Sequence, residues 1–172
     1  FSRNVVWGDR LTFWQDVVNK SPGKARGYND LGNAYNRAGM IVKAAEAYQM
    51  ALSLAPENFD AHNNLGIVYA KNNQVQEAIE EFNKAISIKP TYAKPYDNLG
   101  IVYARMNRMD KAILEFSKSI ELDPGNSDVY KNRGLTYLKI NESRKAADDF
   151  KQACDMGNQE CCGLLRKMEE QK

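Results

Sequence analysis

One short pattern of residues returns four times in this chain at a spacing of 34 residues. Gly32, Gly66, Gly100 and Gly134 stand at that step, as do Tyr35, Tyr69, Tyr103 and Tyr137. Ala44, Ala78, Ala112 and Ala146 follow, then the aromatics Tyr48, Phe82, Phe116 and Phe150. Pro22, Pro56, Pro90 and Pro124 share the step. A fixed period of this size constrains the fold more than composition does. Each unit is one supersecondary element that cannot bury its apolar face alone, so the units must stack into a solenoid.

Each unit reads as two helices. Across residues 28–35, Tyr28, Leu31 and Tyr35 fall at i, i+3 and i+7, one face of a helix. A break follows at Ala38-Gly39, with Asn72-Asn73 and Met106-Asn107 as the breaks of the middle units. The second helix carries Ala44, Ala47, Tyr48, Ala51 and Leu52 as a stripe, and Pro56 stops it. Glycine inside a helix costs about 1 kcal/mol relative to alanine. Its return in four first helices predicts a steric need: two helix backbones crossing too closely for a side chain. The second-helix alanines are then the complementary small surface.

These residues resemble the tetratricopeptide repeat family, whose unit has the same period and the pattern Trp-x2-Leu-Gly-x2-Tyr, Ala-x3-Phe, Pro. Residues 25–58, 59–92 and 93–126 follow it nearly throughout, with Tyr28, His62, Tyr96 and Tyr130 in the tryptophan slot. The fourth unit, 127–160, departs most: Arg133 replaces the leucine and Gly157-Asn158 the proline. The resemblance implies an all-α fold, a right-handed α-solenoid with terminal capping helices, as one domain over residues 1–172. Residues 9–22 are expected to be the second helix of an incomplete earlier repeat, within an N-terminal cap over 1–24. Trp14 falls in its aromatic slot and Pro22 in its proline slot. The chain opens without methionine, so the expectation is a piece of a longer protein. Residues 159–171 read as an amphipathic helix in a C-terminal cap over 159–172, its stripe being Cys161, Leu164, Leu165 and Met168.

Composition excludes several classes. The 24 basic and 22 acidic residues leave a net charge of +2, too balanced for a nucleic-acid footprint or an anionic-membrane binder. No apolar run approaches the ~18–20 residues of a membrane helix. The glycines sit inside helices rather than in a phosphate-cradling loop, and the cysteines lack zinc spacing. The single histidine, His62, occupies a large-residue slot and reads as a packed, partly exposed core residue. A general base there needs a partner within hydrogen-bond reach, and no neighbouring motif supplies one. The expectation is a non-catalytic chain with no cofactor and no metal. Asn141-Glu142-Ser143 is a glycosylation sequon, meaningful only in a eukaryotic secretory protein.

In the tetratricopeptide family the first helices line a concave groove, and the residue before Leu-Gly points into it. Those positions here hold Asp30, Asn64, Asn98 and Asn132, with Asn29, Asn33 and Asn63 near them and Asn36 one turn on. Asn29, Asn33, Asn63, Asn64, Lys94, Asn98, Lys131 and Asn132 are the candidate groove residues. An amide is both donor and acceptor, so a row of them can grip the backbone of an extended peptide whatever its sequence. The alternative is that they satisfy neighbouring backbone groups. A related branch of the family binds the C-terminal carboxylate of heat-shock chaperones with a Lys/Asn/Arg clamp. Asn33, Asn64 and Lys94 match it, but Asn29 stands for a lysine and Asn98 for an arginine, which removes charge-assisted pairing. Arg37, Lys71, Arg105 and Lys139 form a basic row at the same step. It either complements first-helix dipoles or steers acidic ligands. Arg26, Asp60, Lys94 and Asp128 alternate in sign at the groove entrances, which favours a mixed-charge partner.

The stretch 153–162 is similar to the hairpins of a cysteine-rich secreted repeat family in which two cysteines with seven residues between them are bonded across adjacent helices. Cys154 and Cys162 have that spacing. The resemblance implies a disulfide and an oxidising compartment; three buried thiols acting as small hydrophobes are the other reading. Residues 3–26 resemble the junction between the last membrane helix and the repeat tail of multi-spanning, protein-mannosyltransferase-type glycosyltransferase-like proteins. An ordinary half-repeat cap, with Trp7 and Trp14 covering the core, is the plainer reading. The expected function is therefore a protein- or peptide-binding scaffold, the soluble extracytoplasmic tail, in periplasm or lumen, of a larger membrane protein. Self-assembly and cytosolic chaperone adaptation are the rivals.

Overall fold

The computed structural model describes residues 2–170, with side chains from residue 10 onward. Among these residues the chain is helical throughout, with ten helices in succession. They are α1 (Ser2–Lys20), α2 (Ala25–Arg37), α3 (Ile41–Leu54), α4 (Phe59–Lys71), α5 (Val75–Ile88), α6 (Ala93–Arg105), α7 (Met109–Leu122), α8 (Ser127–Lys139), α9 (Ser143–Asp155) and α10 (Gln159–Glu170). The fold is the all-α helix-pair architecture that the repeat predicts. Two compact units divide it, Phe1–Pro90 with α1 to α5 and Thr91–Lys172 with α6 to α10.

In the first unit α2 pairs with α3 and α4 with α5, while α3 also packs on α4 and α1 on α2. The first helices α2 and α4 touch directly. In the second unit α6 pairs with α7 and α8 with α9; α7 packs on α8, α10 on α9, and α6 touches α8. Helix α1 begins at Ser2 rather than near residue 9, because before Pro22 only Gly8 opposes helix and its cost is about 1 kcal/mol. Trp14 packs half-buried on Val18, Leu31 and Ala47; its ring meets Phe13 edge-on at 5.0 Å. Trp7 lies outside the described side chains. At the other end α10 lays Leu164, Leu165 and Met168, with buried Cys161, on Ala146, Phe150 and Ala153.

The turn inside each pair repeats atom for atom. Gly39, Asn73, Asn107 and Asn141 take the left-handed conformation, with φ of 75°, 60°, 59° and 62°. The next N–H, of Met40, Gln74, Arg108 or Glu142, donates back to the carbonyl of Tyr35, Tyr69, Tyr103 or Tyr137 at 2.9–3.0 Å. This is the Schellman closure, and glycine and asparagine bear its positive φ at least cost. Helices α3, α5 and α7 end two residues ahead of Pro56, Pro90 and Pro124.

The recurrent glycines answer to a ring rather than to a second backbone, which corrects the close-crossing expectation. A β-carbon added to Gly32 would stand 2.6 Å from the Tyr48 ring; at Gly66 the Phe82 ring is 2.7 Å away, at Gly100 the Phe116 ring 2.5 Å, and at Gly134 the Phe150 ring 2.7 Å. All four rings are buried, so they have no room to retreat. Ala44, Ala78, Ala112 and Ala146, one turn earlier on the second helices, are fully buried beside them. The smallest insertion is therefore damaging. Gly100→Ala is expected to cost about 1–3 kcal/mol, read from urea denaturation, and Gly100→Val more. Phe116→Leu on the Gly100→Ala background should recover part of the loss. A Gly100→Ala midpoint equal to the parent's would refute the ring contact.

Candidate functional site on the first-helix faces

With their inner faces buried against the rings, the first helices turn polar side chains outward. In the first unit the Asn64 Nδ2 group of α4 donates to the Oδ1 atoms of both Asn29 and Asn33 of α2, at 3.3 Å each. Asn33 Oδ1 also accepts the Tyr48 hydroxyl at 2.8 Å. Burial pushes the Tyr48 phenol well up, so it remains a donor. The amides thus form a network anchored in the core. Lys71 Nζ donates to Asn36 Oδ1 at 2.8 Å. Asp30 lies 3.8 Å from Arg26. Asn63 is not a groove residue: it is 2 % exposed, inside the unit. It falls on the same helix turn as Asn64 but on the inward side, a difference of about 100° that spacing alone did not resolve.

In the second unit Asn132 Nδ2 of α8 reaches Asp97 Oδ1 of α6 at 3.5 Å. Burial raises the Asp97 carboxyl above its usual range, against the lowering effect of Asn132. Asn98 is half-buried and Lys94 exposed. Lys131 is not available as a groove cation. It pairs with Glu160 of α10 at 3.1 Å and Asp128 at 3.5 Å, tying the last helix to α8. Of the clamp positions, Asn33 and Asn64 come together in the first unit, while Lys94 and Asn98 belong to the second.

Arg37, Lys71, Arg105 and Lys139 each occupy the exposed last turn of a first helix. Arg37 borders a pocket of about 350 Å³ with Trp14, Phe13 and Asp30. Arg105 and Lys139 border one of about 410 Å³ whose lining includes Ile101, Ala104, Phe116 and Leu135. This apolar pocket was not foreseen, although its signal is in the repeat: the slot of Asn33 becomes Ile67, Ile101 and Leu135.

His62 departs from its reading as a partly exposed residue without a partner. It is buried. Its Nδ1 lies 2.6 Å from Glu81 Oε2 and its Nε2 2.9 Å from the Pro56 carbonyl oxygen. Glu81 sits on the next helix, so no local motif reveals it. Lys84 donates to the other Glu81 oxygen at 2.7 Å. Both histidine nitrogens face acceptors, a geometry that the doubly protonated ring satisfies. Burial by itself favours neutral imidazole; the Glu81 carboxylate and the Pro56 carbonyl outweigh it and raise the His62 pKa above 6.5. Burial likewise opposes the charge on Glu81, and His62 and Lys84 outweigh it, lowering that carboxyl below 4.5. His62 and Glu81 are buried, while the Lys84 side chain remains half exposed.

Cys154 and Cys162 are joined as a disulfide, Cα to Cα 4.8 Å, linking α9 to α10, and Cys161 is a buried free thiol. Among the described residues no group of His, Cys, Asp and Glu could hold a metal ion, and no helix is long and apolar enough to cross a membrane.

The pH dependence follows from the His62 pair. A raised histidine pKa contributes stability in full below its unfolded value near 6.5 and loses it as pH rises through the folded value. The lowered Glu81 pKa contributes above 4.5 and is lost as pH falls through its folded value. The first unit should therefore be most stable between these limits. Melting temperature is expected to fall as pH rises from about 6.5 towards 9, and Glu81→Gln should flatten that fall. A parent curve that is flat over this range, or a Glu81→Gln curve that keeps the parent's slope, would rule out the charged pair.

Three matches to models of the tetratricopeptide repeat cover residues 29–93, 93–126 and 115–148, together well over half the chain. No curated protein matches the sequence significantly. Among solved structures, the crystal structure of MamA is similar at 27% identity and TM-score 0.76, over 87% of this chain and 88% of that one. YrrB, described as a TPR protein with an unusual peptide-binding site, matches at 24% identity and TM-score 0.72, over 96% and 86%. A MamA structure from Desulfovibrio magneticus RS-1 matches at 20% identity and TM-score 0.77, over 91% and 89%. The last two likenesses show a shared fold. The four glycine–aromatic contacts, the Schellman turns and these matches lead to one assignment: the chain belongs to the tetratricopeptide repeat family.

Proposed function

We propose that this chain is a non-catalytic scaffold that holds an extended polypeptide along its first-helix faces. The observation that carries the reading is the Asn29–Asn33–Asn64 network. It is fixed from beneath by Tyr48, and its member Asn64 shares the 34-residue spacing of Asn98 and Asn132. Pre-bonded amides have little rotamer freedom left to lose, so pairing with a peptide backbone is less opposed by entropy. The description of YrrB as carrying a peptide-binding site supports the reading at the level of fold.

The test is binding of labelled extended peptides of varied sequence, followed by anisotropy. Several sequences should bind, because backbone pairing is tolerant of side chains. Replacing Asn64, Asn98 and Asn132 together by alanine should weaken all of them alike, each hydrogen bond netting about 0.5–1.5 kcal/mol. Absence of binding by any peptide would defeat the proposal, as would undiminished binding by the triple variant.

We also infer that the domain works as the extracytoplasmic tail of a larger membrane protein. The Cys154–Cys162 bond supports this, because such bonds persist in oxidising compartments. Peptide mapping of protein isolated from its source with thiols blocked should recover Cys154 and Cys162 as one cross-linked pair and Cys161 as a thiol, alkylated only after unfolding. Three alkylatable thiols would argue for a reducing compartment.

A self-assembly reading has its own observation. Phe13 is 58 % exposed beside half-buried Trp14, an apolar surface that a second copy could cover. Sedimentation without added peptide separates it from the scaffold reading, since only self-assembly gives concentration-dependent species.

A further inference from the structure

The first-helix faces of the two units differ in chemistry. In the first unit Lys71 reaches back to the amide oxygen of Asn36. The matching pair in the second unit is Lys139 and Ala104, and alanine offers no side-chain acceptor. Lys139 accordingly has no hydrogen-bond or ion-pair partner among the described residues, and neither does Arg105. The Asn33 slot of the first unit becomes Ile101 and Leu135 in the second. Leu135 is 37 % exposed, and it borders the cavity of about 410 Å³ between α6 and α8 with Ile101, Ala104 and the Phe116 ring. No carboxylate lines that cavity. Asp97, on the same pair of helices, is turned to Asn132.

An exposed cation at a helix end is by itself a solvated side chain that complements the dipole. Here two of them rim an uncovered apolar hollow, and the groups that occupy the cation in the first unit have been replaced by hydrocarbon. A hollow of this size admits one large side chain. Two cations at its mouth, with no acidic lining, select a negative charge next to that side chain.

We propose that the cavity between α6 and α8 anchors a large apolar side chain of a bound peptide, and that Arg105 and Lys139 hold a carboxylate one or two residues away on the same peptide. This rests on the scaffold reading above and names its ligand class: an acidic peptide with an apolar anchor. The second unit supplies sequence preference where the amides of the first supply tolerance.

The probe is a labelled nonapeptide, Gly-Ser-Ser-Leu-Asp-Glu-Ser-Ser-Gly, titrated with the whole chain at low ionic strength. Two companions replace Leu by Ser or Asp-Glu by Asn-Gln. The parent peptide should bind tightest, with each change weakening it roughly tenfold. Arg105→Glu with Lys139→Glu should abolish discrimination between Asp-Glu and Asn-Gln. Leu135→Asn, which restores the residue type of the first repeat, should abolish discrimination between Leu and Ser while the charge preference persists. These side chains are exposed, and unchanged melting curves would establish that the variants fold. Binding of all three peptides with equal affinity would overturn the anchor-and-carboxylate proposal and leave the scaffold reading standing. Discrimination that survives both variants would place the site elsewhere and also overturn it. No binding by any of the three, nor by the varied peptides used to test the scaffold, would remove both.

Discussion

Everything in this structure depends on the contact between a glycine of each first helix and an aromatic ring of the second. The ring fills the volume that any other residue's β-carbon would take, so the two helices dock face to ring with no slack. A well-packed interior does not stretch to admit one more carbon. Because that contact uses the inward side of the first helix, the outward side is free to vary, amide-rich in the first unit and partly apolar in the second.

Around this fixed contact the repeats vary two facing slots with consequence. Next to the glycine, Leu31 packs in an apolar cluster with Ala47 and Val18. In the fourth repeat the same two slots hold Arg133 and Asp149. The Arg133 guanidinium donates to both Asp149 oxygens, at 2.9 and 2.7 Å, and to the Ser117 hydroxyl at 2.9 Å. Asp149 is 4 % exposed, so either partner alone would be a buried, unpaired charge. Such a pair adds less net stability than an apolar replacement of the same shape, yet is costly to break. In the second repeat Glu81 fills the Ala47 slot and draws in His62 and Lys84. The scaffold tolerates these charges because each arrives with its partner on the paired helix.

The same logic explains what differs between the outward first-helix surfaces of the two units. Amides on the first unit bond to one another and to a core tyrosine. On the second, hydrocarbon replaces the acceptors and leaves two cations beside an open hollow. One backbone framework therefore carries two kinds of outward surface, decided by single residues at matched positions.

The helices, their order, the turns at Gly39, Asn73 and Asn107 and the stripe of the last helix were legible in the chain itself. Period and local conformational cost act over a few residues and need no tertiary knowledge. Candidate groove positions were legible only to the level of a helix turn, which is why Asn63, pointing inward, and Lys131, held by Glu160, were read as groove residues. The partners of His62 and Arg133, and what the glycines touch, lie 16 to 19 residues along the chain. No local pattern specifies such pairs. The sequence by itself determined the repeat, its turns and its family. Only the tertiary structure decided which polar side chains satisfy one another and which remain exposed, because that depends on distances across helices that the chain order does not contain.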